Sequence, residues 1–162
     1  MPTFHRKKGF TLIELLIVIT IIAILVGAGT VSWSNAQVKG RDSRRKTDLK
    51  ATQQALELYF QTNGKYPSSS SGQIQCNVTG DSTVIAWTTG VFSCTPTGGS
   101  ATIYMQKVPG DPTVQASNGY YYTSSGSTTY VLSANLENAA DPDKTNLPCT
   151  PQSGRNYCVI NP

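Results

Sequence analysis

The feature that most constrains this sequence is an apolar run that follows a short basic segment and contains one acid. From Phe10 to Val31 the only charged residue is Glu14, and the bases at positions 6–8 precede the run. A bilayer core of about 30 Å requires about 20 helical residues, so the run is long enough to span a membrane. A charge at the centre of such a span costs roughly 2.5–3.5 kcal/mol. Glu14 is therefore expected to have a function and to need a positively charged partner.

Two ordinary interpretations of this region stay open on the residues alone. A secretory signal peptide has a basic segment, an apolar segment and a small-residue cleavage site, for which Val26-Gly27-Ala28 would serve. A plain membrane anchor would keep the apolar run in the mature protein. The acid within the run and the length of the run argue against the signal peptide.

The segment Gly9-Phe10-Thr11-Leu12-Ile13-Glu14-Leu15-Leu16 resembles the prepilin cleavage and methylation signature of type IV pilins and type II secretion pseudopilins. The resemblance implies that a prepilin peptidase cleaves between Gly9 and Phe10 on the cytoplasmic side, and that the new amine of Phe10 is N-methylated. It also implies that Glu14 is the assembly glutamate. The Phe10 amine of a neighbouring subunit would then supply the cation that a buried carboxylate needs.

The sequence is basic overall, but the distribution of its charge weakens a nucleic-acid interpretation. The net charge of +4 arises from 13 bases and 9 acids. Three of the bases belong to the leader, so cleavage would leave ten bases against nine acids. Six of those ten lie between Lys39 and Lys50, and the chain beyond residue 60 is close to neutral.

Four cysteines follow the apolar run, at positions 76, 94, 149 and 158. An even number in an exported, loop-rich domain predicts two disulfides, for which three connectivities are possible. We predict the short-range pairs Cys76–Cys94 and Cys149–Cys158, because each cysteine then takes its nearer partner. Free buried thiols are the alternative. A metal site is disfavoured, since there is no C-x-x-C motif and the only histidine, His5, lies in the leader.

Helical periodicity predicts one long helix from residue 10 to about residue 62. Its second half carries an apolar stripe that Arg45 interrupts, and Asn63-Gly64 supplies the stop signal. Asp42, Arg45 and Lys46 are assigned to a polar face on which spacings of three and four residues allow weak ion pairs, although each residue taken singly is expected to be solvated. The predicted domains are a leader (1–9), a transmembrane and assembly helix (10–31), an amphipathic continuation (32–63) and an extracytoplasmic β head (64–162).

The rest of the chain predicts a small antiparallel head. Tyrosine and β-branched residues indicate a hairpin with arms at 120–123 and 128–132. Further strand candidates are residues 83–88, 91–94 and, as an edge strand, 157–160. Residues 68–72 and 138–147 are expected to be loops, and residues 101–108 either helix or strand. The fold class is α+β, and the resemblance implies a pilin-like fold whose C-terminal region is tied by a disulfide.

A weaker resemblance extends into the head. Gly64-Lys65-Tyr66-Pro67, the turn Pro109-Gly110-Asp111-Pro112 and the tyrosine-rich hairpin are similar to the family of the major pseudopilin, type II secretion protein G. Members of that family often bind calcium in a loop after the hairpin. This chain lacks the family's glycines there but offers three acids. No other cofactor is expected, and the calcium candidates are Glu137, Asp141 and Asp143.

The sequence predicts a structural subunit and not an enzyme. It has no P-loop, no nucleophile elbow and no histidine outside the leader. A subunit whose contacts do not close would form an open helical filament. Such a filament would belong to a type II secretion-like machine or to a type IV pilus.

Two other function classes remain as alternatives. The first is a competence-type pilin that binds DNA, although filament packing would bury the helix that carries the bases. The second is a monomeric, membrane-anchored domain. The bases that would contact DNA are Lys39, Arg41, Arg44, Arg45, Lys46 and Lys50.

The resemblance also implies partners and a location. The partners are prepilin peptidase, an assembly platform protein, its ATPase, membrane lipid before assembly, and other copies of the chain. Bases flank both ends of the apolar run, so charge alone does not fix its orientation. The resemblance implies an inner-membrane protein with its N-terminus inside and its head outside, and later a filament outside the membrane. Secretion, adhesion, motility and DNA uptake all stay open as the filament's purpose.

Overall fold

The structure is a computed structural model that describes residues 9–88, 90–113 and 119–162. For residues 28–32 it describes the backbone but not the side chains. The leader bases and His5 lie outside the described residues. The internal contacts divide the chain into two units, Met1–Val38 and Lys39–Pro162, and each unit is described by itself.

Helix α1 comprises Leu12–Asn63, close to the predicted bounds. It ends as expected at Gly64, whose φ of 70° is left-handed and whose N–H donates to the Phe60 carbonyl at 2.7 Å. None of the described helical segments is long and apolar enough to cross a membrane. The structure therefore does not show the transmembrane character predicted for residues 10–31.

In the described part of the Lys39–Pro162 unit, eight short strands form three antiparallel sheets in place of the single small sheet that was expected. The orders are β1-β2-β3, β4-β5 and β6-β7-β8, so β8 is an edge strand as predicted. A 3-10 turn at Pro142–Lys144 precedes β8. The strands are β1 (Ser68–Ser70), β2 (Gln73–Gln75), β3 (Val84–Ile85), β4 (Phe92–Cys94), β5 (Thr102–Met105), β6 (Tyr121–Ser125), β7 (Thr129–Ala134) and β8 (Tyr157–Ile160).

The predicted tyrosine-rich hairpin is present as β6 and β7, with Thr123 opposite Val131. Of residues 101–108, for which helix or strand was expected, Thr102–Met105 form strand β5, and only two residues of the 83–88 candidate form β3. The prediction of a loop at residues 68–72 was wrong. Residues 68–70 form β1, which pairs with β2 across a tight turn in which Ser71 and Gly72 both have positive φ.

The core lies between the helix and the sheets, and it is rich in tyrosine. Leu49, Leu56 and Tyr59 face it from the helix and are fully buried. Buried tyrosine hydroxyls need partners, and the helix supplies two carboxylates. Tyr120 donates to Asp48 at 2.7 Å. The other carboxylate, that of Glu57, accepts from Tyr66 at 2.9 Å and from Tyr130 at 3.1 Å.

The two disulfides pair Cys76 with Cys94 and Cys149 with Cys158, with Cα–Cα distances of 5.8 and 6.0 Å. These are the two pairs expected from the sequence. The first joins β4 to the residue that follows β2, and the second ties edge strand β8 to the loop that precedes it. Each bridge fastens a segment that has little regular structure of its own.

Candidate assembly site and a buried ion-pair cluster

The start of helix α1 is a capping box formed by Thr11 and Glu14. The backbone N–H and the hydroxyl of Thr11 both donate to Glu14 Oε2, at 2.8 and 2.7 Å. In return, the N–H of Glu14 donates to Thr11 Oγ1 at 3.3 Å. The first four N–H groups of a helix lack partners within it, and this reciprocal arrangement satisfies donors at that end. Glu14 thus caps the start of helix α1, a structural role in addition to the assembly role predicted from the sequence.

The predicted cleavage residues lie just before this box. Gly9 and Phe10 are exposed and non-helical, so the bond between them is accessible to a peptidase. The Phe10 side chain is 93% exposed. Cleavage at this bond and methylation of the Phe10 amine stay predictions.

The helix beyond the box presents apolar side chains on every side. The large apolar residues from Leu12 to Val26 are all at least half exposed. The hydroxyl of Thr20 donates to the Ile17 carbonyl at 2.8 Å, so the polar group is satisfied within the helix. A helix that is apolar all round is normally covered by other helices or by lipid.

The Lys39–Pro162 unit contains a buried ion-pair cluster centred on Arg45. This side chain is 2% exposed, and it makes five hydrogen bonds, one for each N–H of a guanidinium. Two of them form a bidentate pair with Asp111, at 2.7 and 3.0 Å. The others reach Asp42 at 2.8 Å, Glu137 at 2.7 Å and Thr113 at 2.7 Å.

The acids of this cluster also bind backbone groups, so the cluster joins three segments of the chain. Asp42 accepts from the N–H of Glu137 at 2.9 Å and from that of Asn138 at 2.8 Å. Asp111 accepts from the N–H of Thr113 at 2.9 Å. Helix α1, the segment after β5 and the segment after β7 are thereby fixed to one another.

The expectation that Asp42 and Arg45 belong to a solvated face was wrong. Both side chains are buried, because they lie in register with the apolar stripe. Positions 42, 45, 49, 52, 56 and 59 recur at intervals of three and four residues and share one helix face. That register was the signal available in the sequence. Arg45 interrupts the apolar stripe in the sequence, but a charged residue on a helix is ordinarily solvated.

Each of the three calcium candidates is paired with basic side chains. Glu137 binds Arg41 as well as Arg45, with Arg41 Nε at 2.9 Å from Glu137 Oε1. Both oxygens of Asp141 lie 2.8 Å from Lys46 Nζ, and Asp143 Oδ2 lies 2.6 Å from it. Lys46 is therefore also engaged, and not simply solvated as expected.

These contacts set the ionisation of the acids. Hydrogen bonds from Arg41, against the opposing effect of burial and together with those from Arg45, lower the pKa of Glu137 to about 2. The hydrogen bond from Lys46 outweighs burial and lowers the pKa of Asp141. Both carboxylates are therefore charged at neutral pH.

The six basic side chains that would contact DNA in the alternative function form two groups. Arg41, Arg45 and Lys46 are engaged in the ion pairs above. Lys39, Arg44 and Lys50 are exposed, and Arg44 Nε lies 3.8 Å from the carboxylate of Asp48.

Among the described residues, the potential metal ligands that do lie within reach of one ion are Cys76, Asp81 and Cys94. The two sulfurs form a disulfide and are not thiolates. The carboxylate of Asp81 accepts from the N–H of Thr83 at 2.8 Å and from that of Thr95 at 2.7 Å. This group is therefore a turn held by a disulfide and an acid.

Comparison with known proteins bears directly on the N-terminal region. The family described as the prokaryotic N-terminal methylation motif matches residues 4–30, which include Gly9, Phe10 and the Thr11–Glu14 capping box. The chain thus carries a prokaryotic N-terminal methylation motif at residues 4–30. Within this motif Glu14 is the only acid. The match ends before the head, so it does not cover the Arg45 cluster.

Individual pilins and pseudopilins are similar to part of the chain. The type IV major pilin protein PilA of Myxococcus xanthus is 39% identical over 61 residues, which are 38% of this chain and 28% of that protein. The type II secretion system core protein G of Escherichia coli is 30% identical over 72 residues, which are 44% of this chain and 50% of that protein. The core protein G of Pseudomonas aeruginosa is 32% identical over 68 residues, which are 42% of this chain and 48% of that protein. The matches therefore span at most half of these relatives, and no solved structure matches the chain.

Proposed function

We propose that this chain is a structural subunit of a filament, either a pilin or a pseudopilin, and not an enzyme. The observation that carries the proposal is the segment Leu12–Val26, a helix apolar on all sides that begins with one exposed acid behind a prepilin-type junction. Side chains of this kind need a cover of other helices or lipid. Packing among copies of the same helix provides it, and contacts that do not close produce a filament.

Before assembly, we propose that residues 10–31 hold the subunit in the cytoplasmic membrane with the head outside. Prepilin peptidase then cleaves between Gly9 and Phe10, and the new amine of Phe10 is methylated. An assembly platform protein and its ATPase add the subunit to the filament. Both the exposed apolar helix and the accessible Gly9–Phe10 bond support this sequence of events.

Assembly requires a partner for Glu14, and the proposed partner is the Phe10 amine of the neighbouring subunit. A carboxylate has about four acceptor positions, so Glu14 can accept from an amine while it keeps its bonds to Thr11. In the filament the charge would be buried, and an unpaired buried charge costs on the order of 3–5 kcal/mol. The pair would therefore select subunits in the correct register.

The proposal is tested by the mass of the mature protein and by filament recovery. We expect an intact mass and an N-terminal peptide that begin at N-methylated Phe10, and filaments that shearing releases from cells. A mature protein that begins near residue 29 would show an ordinary signal peptide and would overturn the proposal. A subunit that starts at Phe10 but never enters filaments would instead favour the monomeric, membrane-anchored alternative.

A further inference from the structure

In the segment that follows β7, residues 136–144, basic side chains bind five of the oxygen-bearing groups of the kind that hard cations bind. Three are the carboxylates of Glu137, Asp141 and Asp143. The other two are the carbonyls of Leu136 and Asn138, which lie 3.1 and 3.2 Å from Lys144 Nζ. Calcium takes six to eight oxygen ligands of these types at 2.3–2.6 Å. By composition alone, the segment could therefore be taken for a calcium loop.

In the structure, each of these oxygen groups accepts a hydrogen bond from a basic side chain. An ammonium has three N–H donors, and Lys46 directs them to the two oxygens of Asp141 and to one oxygen of Asp143. The ammonium of Lys144 is bound to the two carbonyls. Glu137 lies between Arg41 and Arg45. A divalent cation would have to displace these bonds and would face four positive side chains.

We propose that Lys46 and Lys144, together with Arg41 and Arg45, hold residues 136–144 on the head in place of a divalent cation. The ordered position of this segment is then independent of calcium. The acids Glu137, Asp141 and Asp143 serve as partners of these bases and not as metal ligands.

The arrangement matters because this part of the chain has little regular secondary structure. Between the end of β7 at Ala134 and the start of β8 at Tyr157 there is only the 3-10 turn Pro142–Lys144 among the helices and strands. The contacts of Lys46 cross 95 and 97 residues of sequence, so they fasten this segment directly to helix α1. Loss of Lys46 would release the part of the segment around Asp141 and Asp143 from the helix, whereas Asp42 would still hold the backbone of Glu137 and Asn138.

The test uses the purified full-length protein in detergent. Its melting temperature is measured in millimolar calcium and in excess chelator, and local order is measured by hydrogen exchange of residues 136–144. We expect the same melting temperature and the same exchange in both solutions. A melting temperature that rises by several degrees with calcium, or exchange that slows with calcium, would overturn the proposal.

Two lysine variants separate a specific role from a general loss of charge. Lys46→Met is expected to lower the melting temperature and to speed exchange in the 141–144 part of the segment. Lys50→Met, one helical turn further on and exposed, is the matched control and should change neither. If Lys46→Met left the exchange of this segment unchanged, Lys46 would not be holding it, and the proposal would be wrong. Neither measurement depends on filament formation, so the proposed function is tested separately.

Discussion

Arg45 and Asp111 form a bidentate ion pair between helix α1 and the segment that follows β5. Their Nε–Oδ2 and Nη2–Oδ1 distances are 2.7 and 3.0 Å, and both side chains are 2% exposed. Buried ion pairs contribute little net stability compared with apolar residues of the same shape, but loss of one partner leaves an uncompensated charge. The pair therefore fixes the position of the segment after β5 on helix α1, and removal of either side chain should lower the free energy of unfolding.

The first prediction concerns Arg45. We expect Arg45→Met to lower the free energy of unfolding by about 3–5 kcal/mol, because Asp42 and Asp111 would stay buried without their cation. Urea-induced unfolding of the full-length protein in detergent measures this change. Arg44→Met is the control, since Arg44 is adjacent but 65% exposed, and surface changes of this kind stay within about 0.5 kcal/mol. Equal stability of the two variants would contradict the role assigned to the cluster.

The second prediction concerns acid pH. Glu137 has its pKa lowered from 4.5 to about 2, chiefly by Arg41 and also by Arg45, so its ion pairs stabilise the fold above pH 4.5. As the pH falls from 4.5 toward 2, the unfolded state takes up a proton before the folded state does, and this stabilisation is lost. Glu137→Gln should be less stable at neutral pH and should show a shallower loss of stability within that window.

Unfolding of both proteins at a series of pH values checks this expectation. Parallel stability curves for the wild type and Glu137→Gln between pH 4.5 and 2 would show that Glu137 does not contribute to the pH dependence.

The third prediction concerns the disulfide Cys149–Cys158. Its residues are 9 positions apart, and in the chain-entropy model a loop of this size contributes roughly 2–3 kcal/mol. Replacement of both cysteines by serine should lower the free energy of unfolding by that amount. Peptide mapping without reduction should show Cys149 linked to Cys158 and Cys76 linked to Cys94. A link between Cys76 and Cys149 would refute the pairing.

Strong local patterns allowed part of this fold to be predicted from the sequence. The tyrosine and β-branched arms of β6 and β7 fit a pleated surface, and Gly64 fits the left-handed end of helix α1. Strand β1 was missed because serine has low strand propensity. Its position is set by pairing with β2, whose Ile74 is buried in the core. No pattern local to residues 68–70 contains that information.

In the candidate site too, features that depend on a local motif could be predicted, and features that depend on contacts distant in sequence could not. Gly9, Phe10 and Glu14 stand out because they form a contiguous motif beside an apolar run. The Arg45 cluster joins residues separated by 66 and 92 positions, and sequence spacing does not show that they meet. The capping box was accessible, since threonine followed three residues later by glutamate at a helix start is its signature.

The two roles of Glu14 can be separated by substitution. Glutamine also completes a capping box, so Glu14→Gln keeps the helix start but removes the negative charge. Thr11→Val removes the hydroxyl bond of the box but keeps the charge of Glu14. If the charge matters for assembly, the first variant should fail where the second does not. Glu14→Ala removes both features and should fail as well.

The most direct test of the central claim is therefore the yield of sheared filaments, relative to the membrane pool, for these variants. We predict that Glu14→Gln and Glu14→Ala accumulate as cleaved subunits with folded heads but give few or no filaments. Thr11→Val should give more filaments than either variant. Normal filament yield from Glu14→Gln would show that the carboxylate does not pair with a neighbouring Phe10 amine, and would contradict the proposed assembly mechanism.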